Sequence, residues 1–424
     1  MKKYQDMTPA ELAQEKARIQ EHYQKLKDLN LKLDMSRGKP GKDQLDAVSD
    51  ILTVLTDPGD CLADGLDARN YGTLSGLPAA RRLFAELLDC RPEECFMGGS
   101  SSLTMMYDLI MRGYCFGLTH SPCPWSQVEG RKWLCPVPGY DRHFKVTQVF
   151  GFEMIPVPMQ ADGPDMDCIE ELVKDPLVKG IWCVPKYSNP DGIVYSEETV
   201  RRFAALAPAA PDFTIIWDNA YCIHEFDGDY LPFPDILRLC REAGHPDMVY
   251  EFASTSKITF PGAGVAVMAT SEDNLAYQQK LMDVQLISYD KVNQLRHVKY
   301  FKNKEHALEI MKRHAEILKP KFDCVLQHLE KEIAPLGIGR WAKPKGGYFI
   351  SLFTLPGLAK RTVALCKEAG VVMTGAGATW PLGKDPEDSN IRIAPSLPPI
   401  HELESALEVL CTALKLAALE KLTK

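Results

Sequence analysis

Apolar positions recur along this chain with two different periods. At the N-terminal end, Thr8-Pro9-Ala10-Glu11 reads as a capping box with proline at the first helical position, and Leu12, Ile19, Tyr23 and Leu26 then share one face, so an amphipathic helix is expected there. An irregular stretch follows, Ser36-Arg37-Gly38-Lys39-Pro40-Gly41. From about residue 75 to 300, short apolar runs alternate with helical stretches. Gly180–Val184, Phe213–Trp217 and Gly264–Met268 read as buried strands; Leu77–Asp89, Ser102–Arg112, Ser196–Ala207 and Asp273–Met282 read as helices. That alternation predicts an α/β fold, a mostly parallel sheet covered on both faces. After Val292 a long helical region runs to about Leu336, with a charge pattern expected of a solvated face. Strands at Tyr348–Leu355, Val371–Thr374 and Asn390–Ile393, then a helix from His401, read as a smaller α+β unit joined by the N-terminal helix.

Composition narrows the function classes. The 424 residues are 45% hydrophobic and 25% charged, a globular balance that excludes disordered and collagen-like classes, and the length asks for about two domains. The net charge of −8, without basic blocks, argues against nucleic-acid binding. No apolar run reaches the ~20 residues that cross a bilayer. The opening Met1-Lys2-Lys3-Tyr4-Gln5-Asp6 is polar at once, so no signal peptide and a cytoplasmic location are expected. Thirteen cysteines without a Cys-x-x-Cys, Cys90 and Cys95 being the only close pair, read as reduced thiols rather than a disulfide framework or zinc site, and no metal is expected.

In parallel sheets ligands sit beyond the carboxyl ends of the strands. Polar residues after each apolar run are therefore the candidates. They are Pro185-Lys186-Tyr187-Ser188-Asn189-Pro190, Asp218-Asn219-Ala220-Tyr221, Ser254-Thr255-Ser256-Lys257 and, much later, Asn390-Ile391-Arg392-Ile393. Each alone is ordinary: a strand-end Asp caps helices, Asn-Pro makes turns, and lysines are surface residues. In this order, together, they resemble the fold-type I, class I aminotransferases that depend on pyridoxal 5'-phosphate. The resemblance runs from Arg37-Gly38 to Arg392. In detail it is nearest to a bacterial aspartate aminotransferase subgroup related to the aminotransferase domains of MocR-type regulators. Ser36-Arg37-Gly38-Lys39-Pro40, Gly98-Gly99-Ser100-Ser101-Ser102-Leu103, the stretch from Cys135 to Phe144 and Ser254 to Gly262 carry that likeness.

The resemblance implies a large cofactor-binding α/β domain over 48–300 and a small domain built from 1–47 and 301–424. It implies Lys257 as the Schiff-base and proton-transfer residue, and Asp218 on the pyridine nitrogen. Tyr221 and Asn189 would meet the ring hydroxyl, and Tyr140 would stack on the ring. Ser100, Ser101, Ser102 and Ser254 would hold the phosphate, joined by Tyr71 of a neighbouring subunit, so a homodimer with shared active sites is expected. Arg392, with Gly38 and Asn189, would bind the substrate α-carboxylate, a task that suits a planar guanidinium. The implied reaction moves the amino group of L-aspartate to 2-oxoglutarate by a ping-pong route. One departure stands out: Gly262-Ala263-Gly264-Val265-Ala266 lacks the phosphate-binding arginine that most of the class carries there. A second substrate carboxylate calls for another cation, for which Arg37, Lys39, Arg142, His143, Lys291 and Arg296 all stand open. A lyase using the same cofactor and a non-catalytic sensor of pyridoxal phosphate or amino acids are the alternatives.

Overall fold

In the computed structural model, which describes residues 2–424, Thr8 caps helix α1 (Pro9–Asp28) as its sequence predicts. The Thr8 hydroxyl accepts from Glu11 N at 3.3 Å and the Glu11 carboxylate accepts from Thr8 N at 2.6 Å. Leu12, Ile19, Tyr23 and Leu26 are all buried on one face. The short helix α2 (Lys42–Asp46) follows the irregular Gly38 segment.

The middle of the chain builds an eight-stranded sheet from β1 (Cys95–Met97), β2 (Lys132–Val137), β3 (Glu153–Gln160), β4 (Gly163–Pro164), β5 (Val178–Cys183), β6 (Thr214–Asp218), β7 (Val249–Ser254) and β8 (Ala266–Thr270), in the order β1-β8-β7-β6-β5-β2-β3-β4. β3, β2, β5, β6 and β7 run parallel, whereas β8 is antiparallel to both of its neighbours. Every residue of β5, β6 and β8 is buried, as continuous apolar runs require when both faces are covered. Neighbouring residues feed opposite cores: Ile215 and Trp217 pack with Val267 on one face, while Ile216 packs with Phe252, Met268 and Trp182 on the other. Helices α3 (Ser102–Phe116) and α4 (Asp141–Val149) each begin just beyond a strand end.

The long helical region is two helices, α5 (Lys291–Phe301) and α6 (Lys304–Glu332). The break falls where Lys302 takes a positive φ of 61° and the Asn303 side chain caps α6 by accepting from His306 N at 2.9 Å. The solvated face expected there is only partial, because His297, His314 and Lys321 are buried. The C-terminal part forms an antiparallel sheet of β9 (Gly339–Trp341), β10 (Ile350–Thr354) and β11 (Asn390–Ile393), closed by α7 (Ile400–Leu422), against which α1 packs. One hydrophobic cluster joins Tyr4, Leu12 and Ile19 to Leu318, Ile350, Ile393 and Leu410, and also takes in Tyr187, Tyr221 and Phe226 from the middle of the chain. All thirteen cysteines are free thiols. Among the described residues no helix is long and apolar enough to cross a membrane.

Glu251, in the middle of β7, is an acid inside this core. It is buried and accepts one hydrogen bond, from Asn219 Nδ2 at 2.8 Å. Burial pushes its carboxyl up from an ordinary 4.5 to about 8. The folded state therefore holds a proton that the unfolded chain has released, and stability is lost as pH rises from the unfolded value through the folded one. Glu251→Gln keeps the acceptor for Asn219 and removes the titration. Its advantage in melting temperature over the parent chain should grow from pH 5 to pH 8. An advantage constant across that range would show that the folded chain gains no proton at Glu251.

Candidate active site

The parallel strands β5, β6 and β7 end on the same edge of the sheet, and three chemically capable residues follow from that. Asn189 lies in the turn after β5, Asp218 is the last residue of β6, and Lys257 lies three residues past β7. They open into one cleft of about 750 Å³. Ten of the twelve residues to which the resemblance gives a cofactor or substrate role line it: Lys257, Asp218, Tyr221, Tyr140, Asn189, Ser101, Ser102, Ser254, Gly38 and Arg392. Ser100 and Tyr71 do not.

Asp218 forms the buried floor. Its Oδ2 accepts from His143 Nε2 at 3.0 Å, and its Oδ1 is buried without any hydrogen-bond partner. His143 is held flat against Trp182, ring centroids 4.4 Å apart and planes within 8°, and meets Tyr140 edge-on at 4.9 Å. A buried carboxylate oxygen without a partner is costly unless a donor arrives from the cleft. His143 belongs behind Asp218, so it is not a cation free for a second substrate carboxylate.

The Lys257 amine sits 5.0 Å from the centroid of the Tyr221 ring and 5.7 Å from that of Tyr348, and these two rings are stacked at 6.2 Å. Desolvation lowers its pKa below the ordinary lysine value, with Asp218 pulling in the opposite direction. A lowered pKa leaves more of the amine uncharged and able to take a proton. Burial also raises the Tyr221 hydroxyl well above its usual range, so it stays a donor. The lysine loop is tied down by a histidine: the hydroxyls of Thr255 and Thr259 lie 3.1 and 2.9 Å from His297 Nε2, and His297 Nδ1 lies 2.8 Å from Asn293 O. Burial takes His297 down to about 4, which keeps Nε2 an acceptor at neutral pH.

Ser101 and Ser102 stand at the start of α3, a helix of 15 residues whose Ncap side chain makes no capping bond. The first N–H groups of that helix and the serine hydroxyls together form an anion cradle. Ser254 Oγ donates to Ser256 Oγ at 3.1 Å, and Ser256 Oγ donates to Ser100 O at 3.2 Å. Ser100 thus joins the cradle's scaffold through its carbonyl, while its side chain lies outside the cleft lining. Ser256, which does line the cleft, stands in the Ser254–Lys257 stretch named from sequence but is given no role there. In the arginine-less segment, Asn293 Nδ2 donates to Ala263 O and Gly264 O, both at 3.0 Å.

Arg392, on β11, closes the opposite wall. Its Nη1 donates to Asp141 Oδ1 and Asn189 Oδ1, both at 3.2 Å, and its Nη2 donates to Thr374 Oγ1 at 3.3 Å. Its guanidinium lies 4.9 Å over the Phe349 ring, and its buried Nε has no partner. Two N–H groups of the five, one on Nε and one on Nη2, remain for a carboxylate. The same Phe349 forces glycine at position 38, where a Cβ would stand 2.6 Å from its ring. Arg37, Lys39 and Arg142 line the cleft, whereas Lys291 is spent on Asn70 O and Gly72 O at 2.5 and 2.6 Å, and Arg296 lies outside the lining. Tyr71 projects from the surface, 83% exposed, beside a separate cavity that it shares with Lys291.

The family model described as aspartate amino-transferase matches residues 7–424. A protein named aspartate aminotransferase from Corynebacterium glutamicum is 48% identical over 403 residues, covering 95% of this chain and 93% of its own. The crystal structure of an aspartate transaminase from Corynebacterium glutamicum superposes with a TM-score of 0.96 at 46% identity, covering 99% of both chains. An α-aminoadipate aminotransferase from Thermus thermophilus, solved with N-(5'-phosphopyridoxyl)-L-leucine, shares the fold at a TM-score of 0.73 and 22% identity, covering 92% of this chain and 93% of its own. With a family match that leaves out only the first six residues, and a relative alike in nearly half its positions across both lengths, the chain belongs to the aspartate amino-transferase family and is an aminotransferase.

Proposed function

We propose that this aminotransferase uses pyridoxal 5'-phosphate to move the amino group of L-aspartate to 2-oxoglutarate, in a homodimer whose two active sites are shared. The observation that carries the cofactor assignment is the unpartnered Oδ1 of Asp218. It is a buried acceptor, oriented by His143, in the same cleft as a desolvated lysine and a helix-start anion cradle. A protonated pyridine nitrogen would supply the donor that oxygen lacks. The substrate assignment is supported by the relative named aspartate aminotransferase and by the cations Arg37, Lys39 and Arg142 in the cleft wall.

Bound there, the cofactor supplies an electron sink for the charge released when the substrate Cα–H bond breaks. The rest is work for this chain's residues. Lys257 would hold the cofactor covalently, then as a free amine take the proton from Cα, which its lowered pKa favours. Asp218 would keep the ring nitrogen protonated, with His143 fixing the carboxylate. Tyr221 and Asn189 would donate to the ring oxygen and Tyr140 would cover the ring face. Ser101, Ser102 and Ser254 would bind the phosphate with the α3 start, and Ser100 would position them through its carbonyl. Arg392 and Gly38 would clamp the α-carboxylate, so that the Cα–H bond points at Lys257. Tyr71, exposed on its own subunit, would complete the phosphate site of a second copy.

Protein loaded with pyridoxal phosphate should absorb visible light through Lys257, lose that band in Lys257→Ala, and be bleached by aspartate and restored by 2-oxoglutarate. Bleaching by a different amino acid alone would remove aspartate as donor, and release of ammonia would make the enzyme a lyase. Arg392→Lys should lower kcat/KM for aspartate about 10- to 100-fold, since it loses the side-on pair of charge-assisted bonds. Unchanged kinetics would take the α-carboxylate away from Arg392. Mixing inactive Lys257→Ala with impaired Tyr71→Ala should restore about a quarter of the parent activity, because each mixed dimer then holds one intact site. No recovery after subunit exchange would refute the shared site.

A further inference from the structure

Beneath the lysine loop lies a buried polar network that the transamination chemistry above does not use. Gln44, Tyr348 and His314 come from α2, the segment before β10 and α6, and each is no more than 1% exposed. Gln44 Oε1 accepts from Gly41 N at 3.3 Å, which turns its Nε2 toward two acceptors: Tyr348 Oη at 2.9 Å and His314 Nδ1 at 3.2 Å. His314 Nε2 lies 2.9 Å from Ile258 O and Tyr348 Oη lies 3.3 Å from Lys257 O.

Only one assignment of protons satisfies every contact. Gln44 spends both amide hydrogens on Tyr348 and His314. Because Nδ1 of His314 must accept, its proton is on Nε2 and goes to Ile258 O. Because Tyr348 Oη accepts from Gln44, its own hydrogen goes to Lys257 O. Burial holds His314 below its usual pKa and Tyr348 above its own, so all three stay neutral through the physiological range. The network ends on two consecutive carbonyls, one of them belonging to the lysine itself. Its other end is tied to the carboxylate-binding side: a Cβ on Gly38 would stand 3.2 Å from Tyr348 Cβ, and Phe349, the next residue, lies under Arg392.

We propose that Gln44, Tyr348 and His314 are positioning residues that fix the main chain of Lys257 relative to the Gly38–Arg392 wall. This rests on the reading of Lys257 and Arg392 given above. The network sets the distance and angle between the proton-transfer amine and a substrate held by its carboxylate. Two separate chain segments, the N-terminal one and the C-terminal one, thereby report to a loop of the large sheet.

Gln44→Met and Tyr348→Phe remove donors while nearly keeping volume. In the chain without cofactor, amide hydrogen exchange over residues 254–262 should quicken about tenfold in both variants, the loss expected for one net hydrogen bond, with the rest of the chain unchanged. In the loaded enzyme, kcat should fall about 10- to 100-fold while KM for the amino donor stays within about twofold, because binding is kept and alignment is lost. Either readout unmoved in both variants overturns the proposal, as does faster exchange spread over the whole chain, which marks ordinary destabilisation. The exchange measurement needs neither cofactor nor substrate. It therefore separates failure of this network from failure of the aspartate assignment.

Discussion

The contact between His143 and Asp218 is the constraint on which the site depends. A carboxylate at the end of a central strand is surrounded by two apolar cores, and it persists there only if its oxygens are met by donors. One donor is built in. The imidazole is itself fixed by stacking on Trp182, so its N–H cannot swing away. The second oxygen is left for whatever enters the cleft. The fold thus contains an acceptor of fixed direction, and the other features of the cleft are arranged around it.

Charge management at Lys257 follows the same logic with the sign reversed. Burial opposes the ammonium form, Asp218 favours it, and burial is the larger effect. Two aromatic faces, Tyr221 and Tyr348, lie beside it, and they tolerate a cation without demanding one. Burial thus favours the uncharged amine while Asp218 favours the charged one, which would suit the proton-transfer role proposed for it. Arg392 is different. Its charge is permanent, and three of its N–H groups are already engaged, so what remains is directional and shaped to a carboxylate.

The sequence showed local structure well where the cause is local. The capping box at Thr8, the apolar runs of β5, β6 and β8 and the polar residues at the strand ends are all read from neighbours in the chain, and the structure places them within one to three residues of where they were expected. It was weaker where a helix meets another element. The charge pattern of 292–336 looks solvated, yet His297 and His314 are buried because each exchanges water for a carbonyl partner and a hydroxyl or amide supplied by other segments. His143 was one cation among six for the same reason: nothing in Tyr-Asp-Arg-His says which member of the helix turns inward onto Trp182. Ser100 and Ser256 exchanged importance, since the direction of a hydroxyl at a loop depends on backbone angles that composition does not specify.

Residue identity and order alone therefore determined the class of fold, because periods of two and 3.6 are properties of the backbone. They also put forward the candidates for the chemistry, because few residue types can do it. The tertiary structure decided everything that depends on direction: which oxygen of Asp218 is free, which N–H groups of Arg392 remain, that Tyr71 faces away from its own cleft, and that Gln44 reaches the lysine loop from a segment more than two hundred residues earlier. Hydrogen bonds and desolvation act over a few ångströms in space, and a chain read in one dimension carries no measure of that distance.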